Sequence, residues 1–179
     1  MSNIASVYAQ ALYGLKKDEG TVEAVLAQMN VLAESFQVEP GFVRLLSAAN
    51  ISKAERCQIL DQSFRSKIDA DLLSFMKILA QKGYMRYFFD CCKVFRSLYN
   101  EDNGILEVRA YTACELSSQQ KHRLCEKLAG ITGKHISLQN RIDPNCLGGI
   151  RLDYDGKQVD DTLQHRLSSI KTLLSETVL

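Results

Sequence analysis

Over the first hundred positions, apolar residues recur every three or four. Ile4, Val7, Tyr8, Ala11, Leu12 and Leu15 fall on one stripe of an opening helix. Val22, Val25, Leu26, Met29, Leu32, Ala33 and Phe36 repeat the pattern in a second helix, ended by Pro40 and Gly41, and a short apolar piece follows at Phe42 to Leu46. Ser52 and Glu55 have the spacing of a capping box, in which each side chain takes a backbone N–H left unpaired at a helix start. The helix they open runs to about Phe64. Asp69 caps the next, whose Leu72, Leu73, Phe75, Met76, Ile78, Leu79 and Ala80 are apolar over more than one face, before Gly83 stops it. Such a helix needs neighbours on two sides. Phe88, Cys92, Phe95 and Tyr99 mark a last helix before the turn at Asn100 to Gly104. About six short helices with no strand signal predict a helical bundle over residues 1–104.

After Asn103-Gly104 the period changes to two. Leu106, Val108 and Ala110 alternate with Glu107, Arg109 and Tyr111, as in a half-buried strand. Ser117 and Gln120 cap a helix carrying Leu124, Leu128 and Ile131, ended near Gly130 to Gly133. Ile136 to Ile142 alternates again, Ile150, Leu152 and Tyr154 form a third strand, and Asp155-Gly156 is a hairpin signal leading into Lys157 to Val159. A final helix carries Leu163, Leu167, Ile170 and Leu174. The predicted fold class is therefore mainly α, a six-helix N-terminal bundle followed by a small α+β domain over 105–179. A domain of that size is marginal alone and should lean on the bundle or on a partner.

At 179 residues the chain holds one large or two small domains, and 46% apolar with 24% charged residues is the balance of a protein that buries a core. A net charge of +1 supplies no field to hold phosphates, which argues against nucleic acid as a partner. Met1 to Leu15 shows no basic segment followed by an apolar one, and nowhere do about 18 apolar residues run uninterrupted, so neither export nor membrane insertion is expected. The six cysteines, at 57, 91, 92, 114, 125 and 146, then read as free thiols in a reducing, cytosolic compartment.

Candidate chemistry is thin. Gly130-Ile131-Thr132-Gly133-Lys134 lacks the four-residue glycine spacing and the Ser or Thr after Lys of a phosphate loop, and helix termination accounts for it. His122 and Cys125 are three apart on a helix, a spacing that can present two metal ligands, but no second pair completes the site. His135 and His165 stand apart, and no nucleophile motif accompanies any cysteine. Asp160 and Asp161 read either as paired acids or as the negative start of a helix, which capping and the helix dipole favour. No catalytic residue, metal or cofactor is expected. What remains is helix surface: the stripe around Tyr8, Ala11 and Leu12 and the over-apolar helix Leu72 to Ala80 are either bundle core or the walls of a groove for a partner helix.

Several motifs, in order along the whole chain, carry a resemblance. They are Tyr8-Ala9-Gln10-Ala11-Leu12, Asn50-Ile51-Ser52, Leu79-x-x-Lys82-Gly83, Thr112-Ala113 with Glu115-Leu116-Ser117, Thr132-Gly133-Lys134, Ile142-Asp143-Pro144 with Leu147-Gly148-Gly149-Ile150, and Asp160. The sequence resembles the delta subunits of bacterial F-type ATP synthase, related to the mitochondrial oligomycin-sensitivity-conferring protein. Cys146 stands where that family usually has an aliphatic residue, and Cys serves as a small hydrophobe. The resemblance implies a non-catalytic stator subunit, one copy per complex, peripheral at the cytoplasmic face of the bacterial plasma membrane. It implies that the N-terminal domain binds the N-terminal segment of the alpha subunit between the first and fifth helices, with Ile4, Tyr8, Ala11 and Leu12 on one wall and Met76, Leu79, Ala80 and Gly83 near the other. It also implies that the C-terminal domain meets the C-terminal end of the b subunits, through Gly148, Gly149, Leu167, Ile170 and Leu174, although Gly149 equally fits a purely backbone role. The alternative is a small cytosolic enzyme dependent on a thiol or a metal.

Overall fold

The computed structural model describes residues 3–48, 50–144, 146, 148–163 and 165. It divides into two compact units, Met1–Tyr99 and Asn100–Leu179. The division falls inside a helix, ahead of the Asn103-Gly104 turn at which the periodicity changes.

The first unit is built from α1 (Asn3–Glu19), α2 (Val22–Val38), α3 (Pro40–Ser47), α4 (Lys53–Phe64), α5 (Ala70–Lys82) and α6 (Phe88–Asp102), with one 3₁₀ turn at Met85–Tyr87. Pro40, which the sequence reading takes as the end of α2, opens α3: proline is tolerated in a first helical turn, where its missing N–H would have no partner. The Ser52–Glu55 capping box is formed, with Glu55 N donating to Ser52 Oγ at 3.2 Å and Ser52 N to Glu55 Oε2 at 2.9 Å. The helix that follows carries Arg56, a buried residue whose guanidinium donates to the carbonyls of Ala80 (2.9 Å) and Ala48 (2.7 Å). A positive group is thus placed at the carbonyl ends of α3 and α5, where Ala48 O and Ala80 O also accept from Ile51 N and Gly83 N.

α5 is the centre of the core. Leu72, Leu73, Phe75, Met76, Leu79 and Ala80 are all buried, packed with Ala5, Ala9 and Leu12 of α1, Val25, Met29, Leu32 and Phe36 of α2, and Phe88, Cys91 and Phe95 of α6. Phe36 organises an aromatic knot with Phe42 at 5.4 Å, Phe64 at 6.3 Å and Phe88 at 5.3 Å between ring centroids, each such pair adding about 0.5–1.5 kcal/mol beyond its burial. Asp69 accepts hydrogen bonds from the backbone of Asp71 and Leu72 to start α5. Gly83 ends it at φ 72°, where Tyr84 N reaches back to Leu79 O at 2.7 Å.

The second unit holds β1 (Ile105–Thr112), α7 (Ser118–Thr132), β2 (His135–Ile142), β3 (Ile150–Tyr154) and β4 (Lys157–Asp160), in sheet order β2-β1-β3-β4. β1 and β2 are parallel, which requires a crossover, and α7 supplies it. β3 runs antiparallel to β1 and β4 returns from it through Asp155-Gly156, both with positive φ, as a two-residue hairpin turn demands. The register sets Leu106, Val108 and Ala110 beside Ile136, Leu138, Leu152 and Tyr154, the face that Leu116, Leu124 and Leu128 cover. Asn140 stitches this face to the loop before α7, donating to Ala110 O and Thr112 Oγ1 and accepting from Leu116 N at 2.8 Å. Among the described residues, Leu106, Val108, Ala110 and Leu152 form the buried centre of this cluster, and no residue of α7 is fully buried. The expected last helix, with Leu167, Ile170 and Leu174, lies outside the described residues.

Candidate functional site

Two cross-helix contacts fix how α1 and α5 lie together. Lys16, near the end of α1, reaches Asp71 at the start of α5, and Tyr8, near the start of α1, meets the ring of Tyr84 just past the end of α5 at 6.3 Å in an edge contact. The two helices are therefore antiparallel neighbours. Ile4, Tyr8, Ala11 and Leu15, at intervals of four, three and four, share the stripe of α1 that borders this seam. Asp71, Phe75, Ile78 and Lys82, at the same intervals, share the facing stripe of α5. Leu15 is 45% and Ile78 44% exposed, with Val7 and Ala11 also open to solvent beside them. The seam is thus an apolar strip on the outside of the bundle, edged by a helix on either side.

Of the residues that the resemblance points to, Ala11 is exposed, and Ile4, Tyr8 and Gly83 are half-buried at the seam's border. Leu12, Met76, Leu79 and Ala80 are buried within the bundle core. Leu15, Val7 and Ile78 are exposed apolar residues of α1 and α5 that the sequence reading does not name among its candidates. The helical spacing of Leu15 from Tyr8 and Ala11 was the available signal for it.

At one end of the seam the electrostatics are unusual. Lys16 is only 2% exposed, and its Nζ lies 2.6 Å from Asp71, 2.7 Å from Glu19 and 2.9 Å from Asp69. Burial alone would push the ammonium pKa down, but the hydrogen bonds to Asp71, Glu19 and Asp69 outweigh it and hold the pKa above the ordinary lysine value. Asp69 is likewise disfavoured as a charge by burial, yet Lys16 and the backbone N–H groups of Leu72 and Asp71 bring its pKa below the usual carboxylate range. The Asp69 N–H is held by Gln28 of α2 at 2.7 Å, so the cluster ties α1, α2 and α5 at one point.

In the second unit, Gly149 has φ +84°, and a Cβ there would meet the Asp161 carbonyl and the Thr162 Cα, the latter at 2.9 Å. Gly148 accepts from Leu163 N at 3.0 Å, and a Cβ on it would press on the Leu163 side chain at 2.9 Å. Both glycines thus sit where the chain after β4 crosses closely, which gives the glycine pair a packing reason independent of any partner. Leu167, Ile170 and Leu174 fall outside the described residues. Asp160 Oδ1 accepts from Thr162 N at 3.0 Å, and this bonding to Thr162 depresses its pKa, as for a carboxylate that organises the backbone after it.

The candidates for chemistry are dispersed. His122 is exposed and pairs with Glu126 at 3.2 Å, while Cys125 is half-buried. Among the described residues, no three His, Cys, Asp or Glu side chains gather as metal ligands would. Burial pushes the Cys91 thiol up to about 11, with the Asp90 charge adding to it, and the Cys92 thiol up to about 12.

Comparison with known proteins gives one answer. The model of the ATP synthase delta (OSCP) subunit family matches residues 4–174. The delta subunit of ATP synthase from Clostridioides difficile is 26% identical over 98% of this chain and 97% of its own length, and that from Chlorobium luteolum 27% identical over 94% and 93%. In fold, the chain is similar to one from the Toxoplasma gondii mitochondrial ATP synthase, with a TM-score of 0.76 at 15% identity over 97% of this chain and 98% of that one.

Proposed function

The chain belongs to the ATP synthase delta (OSCP) subunit family, and from that premise we propose that its α1/α5 seam receives the N-terminal helical segment of the alpha subunit while its second unit meets the C-terminal end of the b subunits. Delta subunits are structural parts of the F-type ATP synthase, linking its catalytic head to the peripheral stalk. Torque from the central rotor does work on the head only while the head is held against turning. The tie must therefore persist through many rotations, which calls for slow dissociation and no chemistry of its own.

The observation that carries this reading is the exposed apolar strip of Ala11, Leu15 and Ile78 on helices whose opposite faces are already buried. An amphipathic helix laid along it would set its own apolar residues between α1 and α5 at intervals of three and four. No helix among the described residues is long and apolar enough to cross a membrane. In this reading the chain is held at the cytoplasmic face of the bacterial plasma membrane by the complex, as a single copy.

Reconstitution tests the contact. The full chain should bind the isolated alpha/beta head and fail to bind a head whose alpha subunits lack their N-terminal segments. Equal binding to both would place the contact elsewhere.

A further inference from the structure

Two basic side chains are buried among the described residues, and they differ in kind. Lys16 is surrounded by carboxylates. Arg56, 8% exposed, forms no ion pair among the described residues: its Nη1 and Nη2 donate to Ala80 O and Ala48 O, and its Nε is buried without a partner.

Stability alone gives no reason for this side chain. A buried charge without a counter-charge costs free energy, and a well-packed apolar residue of similar volume often serves a core as well or better. Nor would its loss strip the two carbonyls, because Ala80 O also accepts from Gly83 N at 3.2 Å and Ala48 O from Ile51 N at 3.3 Å. What Arg56 supplies is a rigid fork. A planar guanidinium holds two carbonyls, one at the end of α3 and one at the end of α5, in a fixed mutual geometry that an ammonium or an apolar side chain does not impose.

The two ends so joined frame one segment. After Ala80, α5 closes at Gly83, and Tyr84 N reaches back to Leu79 O. The 3₁₀ turn Met85–Tyr87 follows and packs against α3. Between these anchors stands the Tyr84 ring, edge-on to Tyr8 of α1 at 6.3 Å and to Tyr87 at 6.0 Å. Tyr8 and Gly83 border the α1/α5 seam, so the place of Tyr84 sets how the two helices stand at this end of it, as the Lys16 cluster does at the other.

We propose that Arg56 is a positioning residue for the alpha-subunit site: by fixing the ends of α3 and α5 together it holds Tyr84 against Tyr8 and so sets the width of the seam at that end. The inference rests on the reading of the seam as that site. Arg56 is buried and makes no contact with the partner; it acts through Tyr84.

The test compares the full chain with Arg56→Met and Arg56→Lys by urea unfolding, by the tyrosine ring resonances of the free protein, and by calorimetric titration with a peptide from the N-terminus of the alpha subunit. Arg56→Met should unfold near the parent's urea midpoint. Its Tyr8 and Tyr84 ring resonances should move while those of Tyr13, packed on Phe95, stay in place. The peptide should bind about fivefold more weakly. Arg56→Lys, which keeps the charge and loses the fork, should bind as weakly. Met29→Ala, a cavity in the buried face of α2, measures how far lost stability alone weakens binding. The proposal is overturned if either Arg56 variant binds as the parent does, if the loss is no greater than in Met29→Ala, or if the Tyr8 and Tyr84 resonances do not move. Failure of the parent itself to bind the peptide would overturn the seam reading and this proposal with it, whereas weakened binding in Leu15→Glu alone would keep the seam and remove Arg56.

Discussion

Lys16 Nζ lies 2.6 Å from the Asp71 carboxylate, joining the last turn of α1 to the first turn of α5. With Glu19 and Asp69 also in contact, removing the ammonium leaves three carboxylates facing one another. Lys16→Met should cost about 2–4 kcal/mol of unfolding free energy, below the full penalty of a deep ion pair because the carboxylates stay partly solvated. Urea denaturation monitored by circular dichroism reads this directly, and a loss under about 0.5 kcal/mol would show the cluster to be energetically idle.

The same cluster predicts two edges in the stability profile. The Asp69 pKa is depressed in the folded state, so its contribution is complete above the unfolded carboxylate value, about 3.9, and is lost as pH falls through the lower folded value. The Lys16 pKa is raised, so its contribution is complete below the unfolded lysine value, about 10.4, and is lost as pH rises towards the folded value. Thermal midpoints should fall on the acid side of the lower limit; on the alkaline side the fall should begin near the unfolded thiol value, about 8.5, because burial holds Cys91 and Cys92 protonated in the folded state, and the loss of the Lys16 contribution should add to it above about 10.4. In Lys16→Met the alkaline fall should shrink.

Gly149→Ala places a Cβ against the backbone of Asp161 and Thr162 at a φ that L-residues avoid. A loss of about 1–3 kcal/mol is expected, confined to the second unit. Hydrogen exchange should quicken in β3 and β4 while the α5 amides of the first unit keep their protection. Unchanged exchange in β3 and β4 would free Gly149 for a partner-binding explanation.

Thiol labelling reads the burial of the cysteines directly. Cys114 is exposed and should react first with an aromatic disulfide reagent in the folded protein. Cys91 and Cys92, buried and with pKa values pushed up to about 11 and about 12, should stay silent until the chain unfolds. Rapid labelling of either in the native state would contradict the burial described.

Local signals were the legible ones. Both capping boxes, Ser52–Glu55 and Ser117–Gln120, the Asp69 cap and the Asp155-Gly156 hairpin depend on residues within four positions of each other, and each is formed as the sequence reads. The direction in which an apolar residue points was not legible on α5, because a helix buried over much of its circumference has no single periodic face. Met76, Leu79 and Ala80 could not be told from Ile78 by spacing alone, and only packing separates them. Lys16 is the extreme case: its i,i+3 partner Glu19 is adjacent, but Asp69 and Asp71 are brought to it by the tertiary fold alone.

The seam itself is tested by substitutions of two kinds. Leu15→Glu changes an exposed position and should leave stability within about 0.5 kcal/mol, whereas Leu79→Ala opens the core and should cost about 2–5 kcal/mol. The most direct measurement is calorimetric titration of the full chain, parent and Leu15→Glu, with a peptide from the N-terminus of the alpha subunit of the same organism. One-to-one binding with a negative heat capacity change, weakened by more than about 2 kcal/mol in Leu15→Glu, is the predicted result. Binding of equal strength by both proteins, or none by the parent, would contradict the assignment of the α1/α5 seam as the alpha-subunit site.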